Sequence, residues 1–385
     1  TWISRSLSPE SPSYHNVASY HVRARLDPKL LQEAAKRVVA RHPMLRTSFD
    51  LVNFSEPLQL VHATAETSIP IYDLRDLPVD EQERQLAEFV EGQWQQISDL
   101  AQPPLLRFYI HRRTDDTFQI TATECHAIFD GWSLTSTFAE LFSTHFELIE
   151  NREAIHRPPP AVLFRDYIFN ERQALASEEC RQYWTEKLHD CKPLKLPRWK
   201  ASRVQGARVR KVPVNLTPEM SDALKQLAND LEMPLKSVML AAHMKVLSAI
   251  TGESDVLTGL AGNGRPEEID AEDVRGLYVL TSPLRMQLSE GSWADLIREC
   301  FKAEWELLPY RLYPMSEVQR SVPLQPLIET EFHYLHFHSV SDLMQSGEVE
   351  VLGNVDRSET NFTLLVGCQM NPLTSELALD LQCDM

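Results

Sequence analysis

Residues 125–131 (CHAIFDG) carry the side chains of this chain that are best suited to chemistry. His126 and Asp130 are four residues apart and Gly131 follows directly, at the end of an apparent strand. An imidazole with a near-neutral pKa can accept a proton from an incoming nucleophile. We expect His126 to project into a cleft, Asp130 to brace the turn or pair with an arginine, and Gly131 to allow a sharp turn where a Cβ would clash. The spacing alone fits a structural histidine equally well.

Cys125 precedes His126 directly, which suggests a thiol nucleophile beside its base. Successive side chains of an extended strand point to opposite faces, so these two residues should not form such a pair. A cysteine hydrolase needs another histidine near Cys125, and the sequence indicates none. We therefore expect Cys125 on the far face of the strand, as structural support.

The elements around this segment predict an α+β fold. Residues 108–111 and 118–123 alternate as two strands joined by a polar turn, and a helical pattern follows Gly131. Near the start of the chain, a strand over 20–25 leads to a helix capped by Asp27. The catalytic candidates would then lie where a strand ends and a helix begins.

A proline-rich connector at 157–160 divides the chain. A helical stretch over 163–188 follows it, and a second α+β series begins with Thr217 as a helix cap. We predict two lobes, residues 1–170 and 171–385. The second lobe is predicted to contain a helix over 234–250 and strands over 274–286, 330–338, 362–368 and 377–382.

Composition and charge exclude several classes of function. The net charge of −17 argues against nucleic-acid binding, which needs clustered Lys and Arg, and the basic stretch 200–211 is interpreted as a linker. No run approaches the roughly 20 apolar residues that span a bilayer, and the N-terminus lacks a signal-peptide pattern. The six scattered cysteines fit reduced thiols in the cytoplasm. The absent initiator Met and the abrupt end suggest a piece of a longer protein.

Two other patterns invite a ligand. His333, His336 and His338 suggest a metal site, but on a strand His333 lies on the face opposite the other two, so three ligands do not converge. The loop 262–266 (GNGRP) suggests a phosphate site but lacks the lysine of a GxxxxGK[ST] loop. We predict neither metal nor nucleotide and interpret the loop as a turn.

Five segments, in order along nearly the whole chain, resemble the condensation domains of nonribosomal peptide synthetases. The central segment 125–133 is similar to the HHxxxDGWS active-site motif of that family. The other four are 41–49 (RHPMLRTSF, similar to RHxxLRTxF), 164–167 (FRDY, similar to YxDYxxW), 263–266 (NGRP, similar to SGRP) and 276–285 (GLYVLTSPLR, similar to GxFxNTLPxR).

The resemblance implies two chloramphenicol-acetyltransferase-like lobes that form a V-shaped pseudo-dimer. Donor and acceptor peptidyl carrier proteins, beside adjacent synthetase domains, would deliver thioesters on phosphopantetheine, with no cofactor bound directly. The donor acyl group would pass to the acceptor amine and form an amide. His126 would be the base or positioner of the amine, and Asp130 the structural Asp. Gly131 would polarise the thioester carbonyl through its N–H.

The resemblance also implies that Arg46, or alternatively Arg285, anchors Asp130. One departure matters for the reaction: Cys125 stands where the family usually has its first His. Two alternatives stay open at this point. One is a related acyltransferase that forms an ester or modifies the tethered residue. The other is a domain that recruits carrier proteins or a partner enzyme without catalysis.

Overall fold

The computed structural model describes residues 15–384, except 97, 152–156, 193, 199–208, 269, 324–325, 336–342, 344, 359, 361 and 372–373. The chain forms two compact units. The first contains the described residues of 1–164, 267–277 and 337–359, and the second contains those of 165–266, 278–336 and 360–385. The units divide first at 164/165, and two later segments return to the first unit. The single division expected at 170/171 stays a prediction for the lobes.

The first unit is built on a five-stranded sheet in the order β11-β1-β6-β5-β4. All nine residues of the third strand in that order are buried, because strands flank it on both edges. Those two neighbours run antiparallel to it. The strands are β1 (His15–Ala24), β4 (Ile71–Asp73), β5 (Leu106–Arg112), β6 (Thr117–Cys125) and β11 (Val349–Arg357), and a separate hairpin contains β2 (Thr47–Asp50) and β3 (Leu58–Val61).

Three helices of the first unit position the strand ends: α1 (Pro28–Arg41), α2 (Val79–Gln95) and α3 (Gly131–Ile149). Asp27 caps α1 as predicted and accepts hydrogen bonds from the backbone N–H groups of Lys29 and Leu30. Apolar residues of α1, α3 and the central strands form one core, which includes Leu31, Ile120 and Phe142.

The second unit has a six-stranded sheet in the order β7-β13-β12-β10-β8-β9. β10 runs parallel to both of its neighbours, and the other pairs are antiparallel. The strands are β7 (Val209–Val214), β8 (Asp255–Asn263), β9 (Val279–Gln287), β10 (Thr330–Leu335), β12 (Leu364–Met370) and β13 (Leu377–Asp384). The helices are α4 (Phe164–Ala176), which begins at the unit boundary, α5 (Glu178–Lys187), α6 (Pro218–Asp230), α7 (Leu235–Thr251), α8 (Trp293–Leu307) and α9 (Met315–Ser321).

The α+β prediction is confirmed, since each unit mixes sheet and helix. Thr217 caps α6 by accepting from the N–H of Met220, as its sequence context predicted. The stretch 163–188 forms two helices instead of one, with Ser177 capping the second. The last residues of the basic stretch 200–211 belong to β7 and not to a linker, and residues 199–208 lie outside the described part of the chain. Residues 336–338, the end of the strand predicted over 330–338, also lie outside it. Within the described part, no helix is both long and apolar enough to cross a bilayer.

Candidate active site

The site lies where β6 ends and α3 begins. The last residue of β6 is Cys125, and the N–H of Ile128 donates back to its carbonyl at 3.0 Å, which closes a tight turn. Ile128 and Phe129 are fully buried and pack in the core of the first unit, which fixes the position of the turn. His126 sits in this turn with 29% of its side chain exposed. The turn after β6 therefore holds a partly exposed imidazole.

Asp130 is the N-cap of α3. Its backbone is extended, and its carboxylate accepts from the N–H of Ser133 at 2.7 Å. A carboxylate at this position satisfies one of the helix's first N–H groups and interacts favourably with the helix dipole. The predicted role of Asp130 in the site stays a prediction, and the contact that the structure shows for its side chain is this cap on α3.

The described residues of 267–277 are hydrogen-bonded to the start of α3. The carbonyl of Gly276 accepts from the N–H of Asp130 at 3.2 Å and from the hydroxyl of Ser133 at 2.8 Å, while the N–H of Gly276 donates to that hydroxyl at 3.0 Å. The indole N–H of Trp132 donates to the carbonyl of Glu272 at 3.1 Å. The first turn of α3 is thus bonded to a segment far away in sequence.

Glu140 on α3 also forms an ion pair with the same segment. Its carboxylate is bonded to Arg41 at 2.9 Å, to His42 at 2.7 Å and to Arg275 at 2.9 Å. Burial raises the pKa of Glu140, but His42 and the two guanidinium groups lower it by more, to about 2. Burial, together with the charges of Arg275 and Arg41, lowers the pKa of His42 below its ordinary value. Sequence reasoning missed this network because its members are scattered along the chain.

Glu124 is a second carboxylate of the site that sequence reasoning missed. Its Oε1 lies 3.7 Å from Nδ1 of His126 and accepts from the amide of Asn16 on β1 at 2.7 Å. Burial lowers the pKa of His126, but Glu124, with smaller contributions from Asp130 and the carbonyl of Phe129, raises it by more, and the net pKa is above the ordinary value. The sequence signal that points to Glu124 is its position as an acidic residue two places before His126.

Cys125 lies in the core of the first unit and is 5% exposed. Its backbone N–H donates to the carbonyl of Leu105 at 3.0 Å, as expected for a residue still in the sheet. The thiol is thus packed among apolar side chains while His126 is beside Glu124. The role of Cys125 as structural support of the site stays a prediction.

Arg46 and Arg285 have partners other than Asp130. Arg46 donates to backbone carbonyls, at 3.2 Å to those of Val39 and Ala63 and also to that of His62. Arg285, on β9, is bidentate to Asp255 of the adjacent β8, with its shortest contact at 2.6 Å. Both guanidinium groups therefore stabilise their own surroundings. Their predicted role as anchors of Asp130 stays a prediction without support from these contacts.

Gly131 is the first residue of α3 and is exposed. The backbone of Asp130, directly before it, is extended. The expectation that Gly131 allows a sharp turn where a Cβ would clash stays a prediction. The N–H of Gly131 belongs to the first helical turn, whose donors have no intrahelical acceptor.

His333 does not take part in a described metal cluster. Its Nε2 lies 2.6 Å from Oε2 of Glu331, whose other oxygen accepts from Thr281. No group of three or more His, Cys, Asp or Glu side chains suited to a metal occurs among the described residues. His336 and His338 lie outside those residues, so the prediction for that run stays untested there.

The GNGRP loop packs as a turn in the second unit. The N–H of Gly264 donates to the carbonyl of Tyr278 at 2.8 Å, and the guanidinium of Arg265 lies 4.2 Å from the centre of the Tyr278 ring. A Cβ on Gly264 would lie 2.5 Å from Cε2 of Tyr167, so only glycine fits there without movement. The loop is explained by packing between side chains of its own unit.

The condensation-domain family model matches residues 1–381, so the chain belongs to that family, as the five segments predicted. A solved condensation domain from the Monacolin K polyketide synthase MokA has a TM-score of 0.83 at 17% identity, and covers 100% of this chain and 89% of its own. The first condensation domain of the calcium-dependent antibiotic synthetase has a TM-score of 0.77 at 19% identity, with coverages of 99% and 88%. The fold is that of condensation domains.

Curated relatives are large synthetases. The AMB antimetabolite synthetase AmbE of Pseudomonas aeruginosa is 32% identical over 326 residues, which is 84% of this chain and 15% of the relative. A linear gramicidin synthase of Brevibacillus parabrevis is 30% identical over 348 residues, which is 86% of this chain and 7% of the relative. The chain therefore spans only a small part of the length of these proteins.

Proposed function

We propose that this chain is an acyltransferase of peptide synthesis that joins a donor acyl or peptidyl thioester to the amine of an acceptor aminoacyl thioester. Both substrates would be carried on the phosphopantetheine of carrier proteins, supplied by adjacent synthetase domains. The observation that supports the proposal most directly is the partly exposed His126, held between Glu124 and the capped start of α3 in a chain of the condensation-domain family.

The chemistry asked of the protein is modest. The amine nitrogen attacks the thioester carbonyl carbon, a C–N bond forms and the C–S bond breaks. The proton lost by the nitrogen passes by way of His126 to the departing thiolate. Holding the two substrates together supplies much of the rate, and a positioned base adds about 10²–10⁴-fold. Gly131 is exposed at the start of α3, where its N–H would stabilise the negative charge on the carbonyl oxygen.

The test uses donor and acceptor carrier proteins loaded with their aminoacyl groups, with the product measured by mass spectrometry. His126→Ala should lower the transfer rate by about 10²–10⁴-fold. His189→Ala is the control, since that side chain is 74% exposed in the second unit. Transfer by His126→Ala at the wild-type rate would contradict the assigned role.

Cys125 favours a second candidate reaction, ester formation with a hydroxyl acceptor, because it replaces the usual histidine beside the base. The Cys125 side chain itself is buried in the core of the first unit, among apolar groups. Amine and hydroxyl acceptors supplied side by side separate the two reactions. Exclusive amide product excludes the ester reaction, and tight carrier binding without turnover on any loaded substrate would favour the recruitment function.

A further inference from the structure

Glu124 is a buried carboxylate with incomplete hydrogen bonding, directly beside the proposed base. Its side chain is 4% exposed, and its Oε1 accepts from Asn16 at 2.7 Å. Within the described residues, its Oε2 is buried and has no hydrogen-bond partner. A buried carboxylate oxygen without a partner is costly, so a nearby positive charge or donor should be strongly favoured.

The donor that Glu124 faces is His126. Nδ1 of His126 lies 3.7 Å from Oε1, which is longer than a hydrogen bond but close enough for a strong electrostatic interaction. Contacts of catalytic groups often shorten only when the substrate is bound. A proton on Nδ1 directed at Glu124 leaves Nε2 as the nitrogen that accepts a proton from a substrate.

The surroundings add one further charge. Asp130, at the start of α3, also favours the protonated imidazole. β1 contributes the amide of Asn16 and the ring of His15, whose Nε2 lies 2.9 Å from the carbonyl of Gln93. β5 contributes Leu106, which is opposite Glu124. Glu124 is thus the principal carboxylate acting on His126 from the sheet, and Asn16 keeps it in place.

We propose that Glu124 is a positioning residue of the transfer reaction, which orients His126 through Nδ1 and stabilises the imidazolium formed when Nε2 takes the proton of the attacking nucleophile. This inference rests on the proposed function, because it assigns His126 the role of a base and not only of a positioner of the amine. Glu124 itself need not touch either substrate.

The first test is the pH dependence of transfer at saturating loaded carriers. The neutral imidazole is the active form, so the rate should rise with pH through the pKa of His126, which is above its ordinary 6.5. Glu124→Gln keeps an acceptor for Asn16 but removes the charge. It should move the rise to lower pH and reduce the plateau by about 10- to 100-fold, because the orienting partner of the base is lost.

Two variants control for structure. Glu124→Asp keeps the charge and should return the rise toward the wild-type pH. Glu147→Gln removes another buried carboxylate of the same unit, which pairs with Arg157, and should leave the position of the rise unchanged. A Glu124→Gln profile that matches the wild type in position and plateau overturns the inference.

A double-mutant cycle separates this inference from the proposed function. If Glu124 acts through His126, then Glu124→Gln should have no further effect in a His126→Ala background. Full additivity overturns the positioning role while leaving the base role intact. If His126→Ala alone keeps the wild-type rate, the base role fails, and the positioning role that rests on it fails as well. If His126→Ala is impaired but NMR titration shows an unchanged pKa of the His126 ring in Glu124→Gln, the positioning role alone is refuted.

Discussion

Replacing Glu140 by Gln should destabilise the first unit and remove part of its sensitivity to acid. The carboxylate is buried and bonded to the consecutive residues Arg41 and His42 and to Arg275, which lies in a distant segment of the unit. A pKa that falls from an ordinary 4.5 to about 2 corresponds to about 3 kcal/mol of stability at neutral pH. Breaking a buried ion pair, which leaves Arg275 buried at 3% exposure, costs about 3–5 kcal/mol, so the two arguments agree.

The sign of the pH effect follows from the lowered pKa of Glu140. The unfolded chain binds the proton more readily than the folded chain, so this contribution is fully present above about pH 4.5 and is lost as the pH falls toward 2. In Glu140→Gln this loss is absent. The difference in stability between wild type and variant should therefore be about 3 kcal/mol at pH 7 and should shrink steadily below pH 4.5.

Urea unfolding of both proteins at pH 7 and at several acidic pH values measures this difference. Hydrogen exchange at the backbone N–H of Gly276 reports whether its hydrogen bonding to Ser133 on α3 has weakened. Glu33→Gln is the matched control, because Glu33 pairs with Arg37 at the surface, where both side chains are more than 40% exposed, and such pairs are worth about 0–1 kcal/mol. Equal unfolding midpoints for Glu140→Gln and wild type, or a parallel decline of both with acid, would refute the reasoning.

Two further substitutions test the packing around the site. Ser133→Ala removes a hydroxyl that is hydrogen-bonded to both the N–H and the carbonyl of Gly276, and should lower the free energy of unfolding in urea by about 1–3 kcal/mol. Ser136→Ala is the control and should be nearly neutral, because the buried hydroxyl of Ser136 has no partner among the described residues. A similar loss of stability in both variants would contradict the stabilising role of the hydrogen bonds between Ser133 and Gly276. Gly264→Ala should cost about 1–3 kcal/mol by thermal unfolding because of the Tyr167 ring, while Gly92→Ala, with open space at its Cβ, should be neutral or stabilising; the opposite order would be contrary to the observed packing.

Local patterns were sufficient to predict most elements near the site. The strands ending before His126, the helix that begins at Gly131 and the caps of Asp27 and Thr217 depend on neighbours within a few residues, and the structure has all of them. Hydrophobic periodicity and capping residues carry this information because they act over one or two turns.

The long-range parts of the first unit could not be predicted in this way. β11 pairs with β1 across more than 300 residues, and its side chains are mostly exposed, so it shows no buried alternation. Residues 267–277 lie between two strands of the second unit yet bond to α3. Neither segment has a local sequence pattern that indicates the unit to which it belongs. Sequence patterns alone therefore lead to a prediction with a single division of the chain.

Cys125 illustrates how the two kinds of information combine at the site. Cys125 is the last residue of β6 and lies in the core, whereas His126 lies in the turn that follows. Nδ1 of His126 is 3.7 Å from Oε1 of Glu124, two residues earlier in the chain. Residue 125 therefore contributes to the packing of the core, while the charge that acts most strongly on His126 is that of Glu124. The reaction should accordingly be more sensitive to Glu124 than to Cys125.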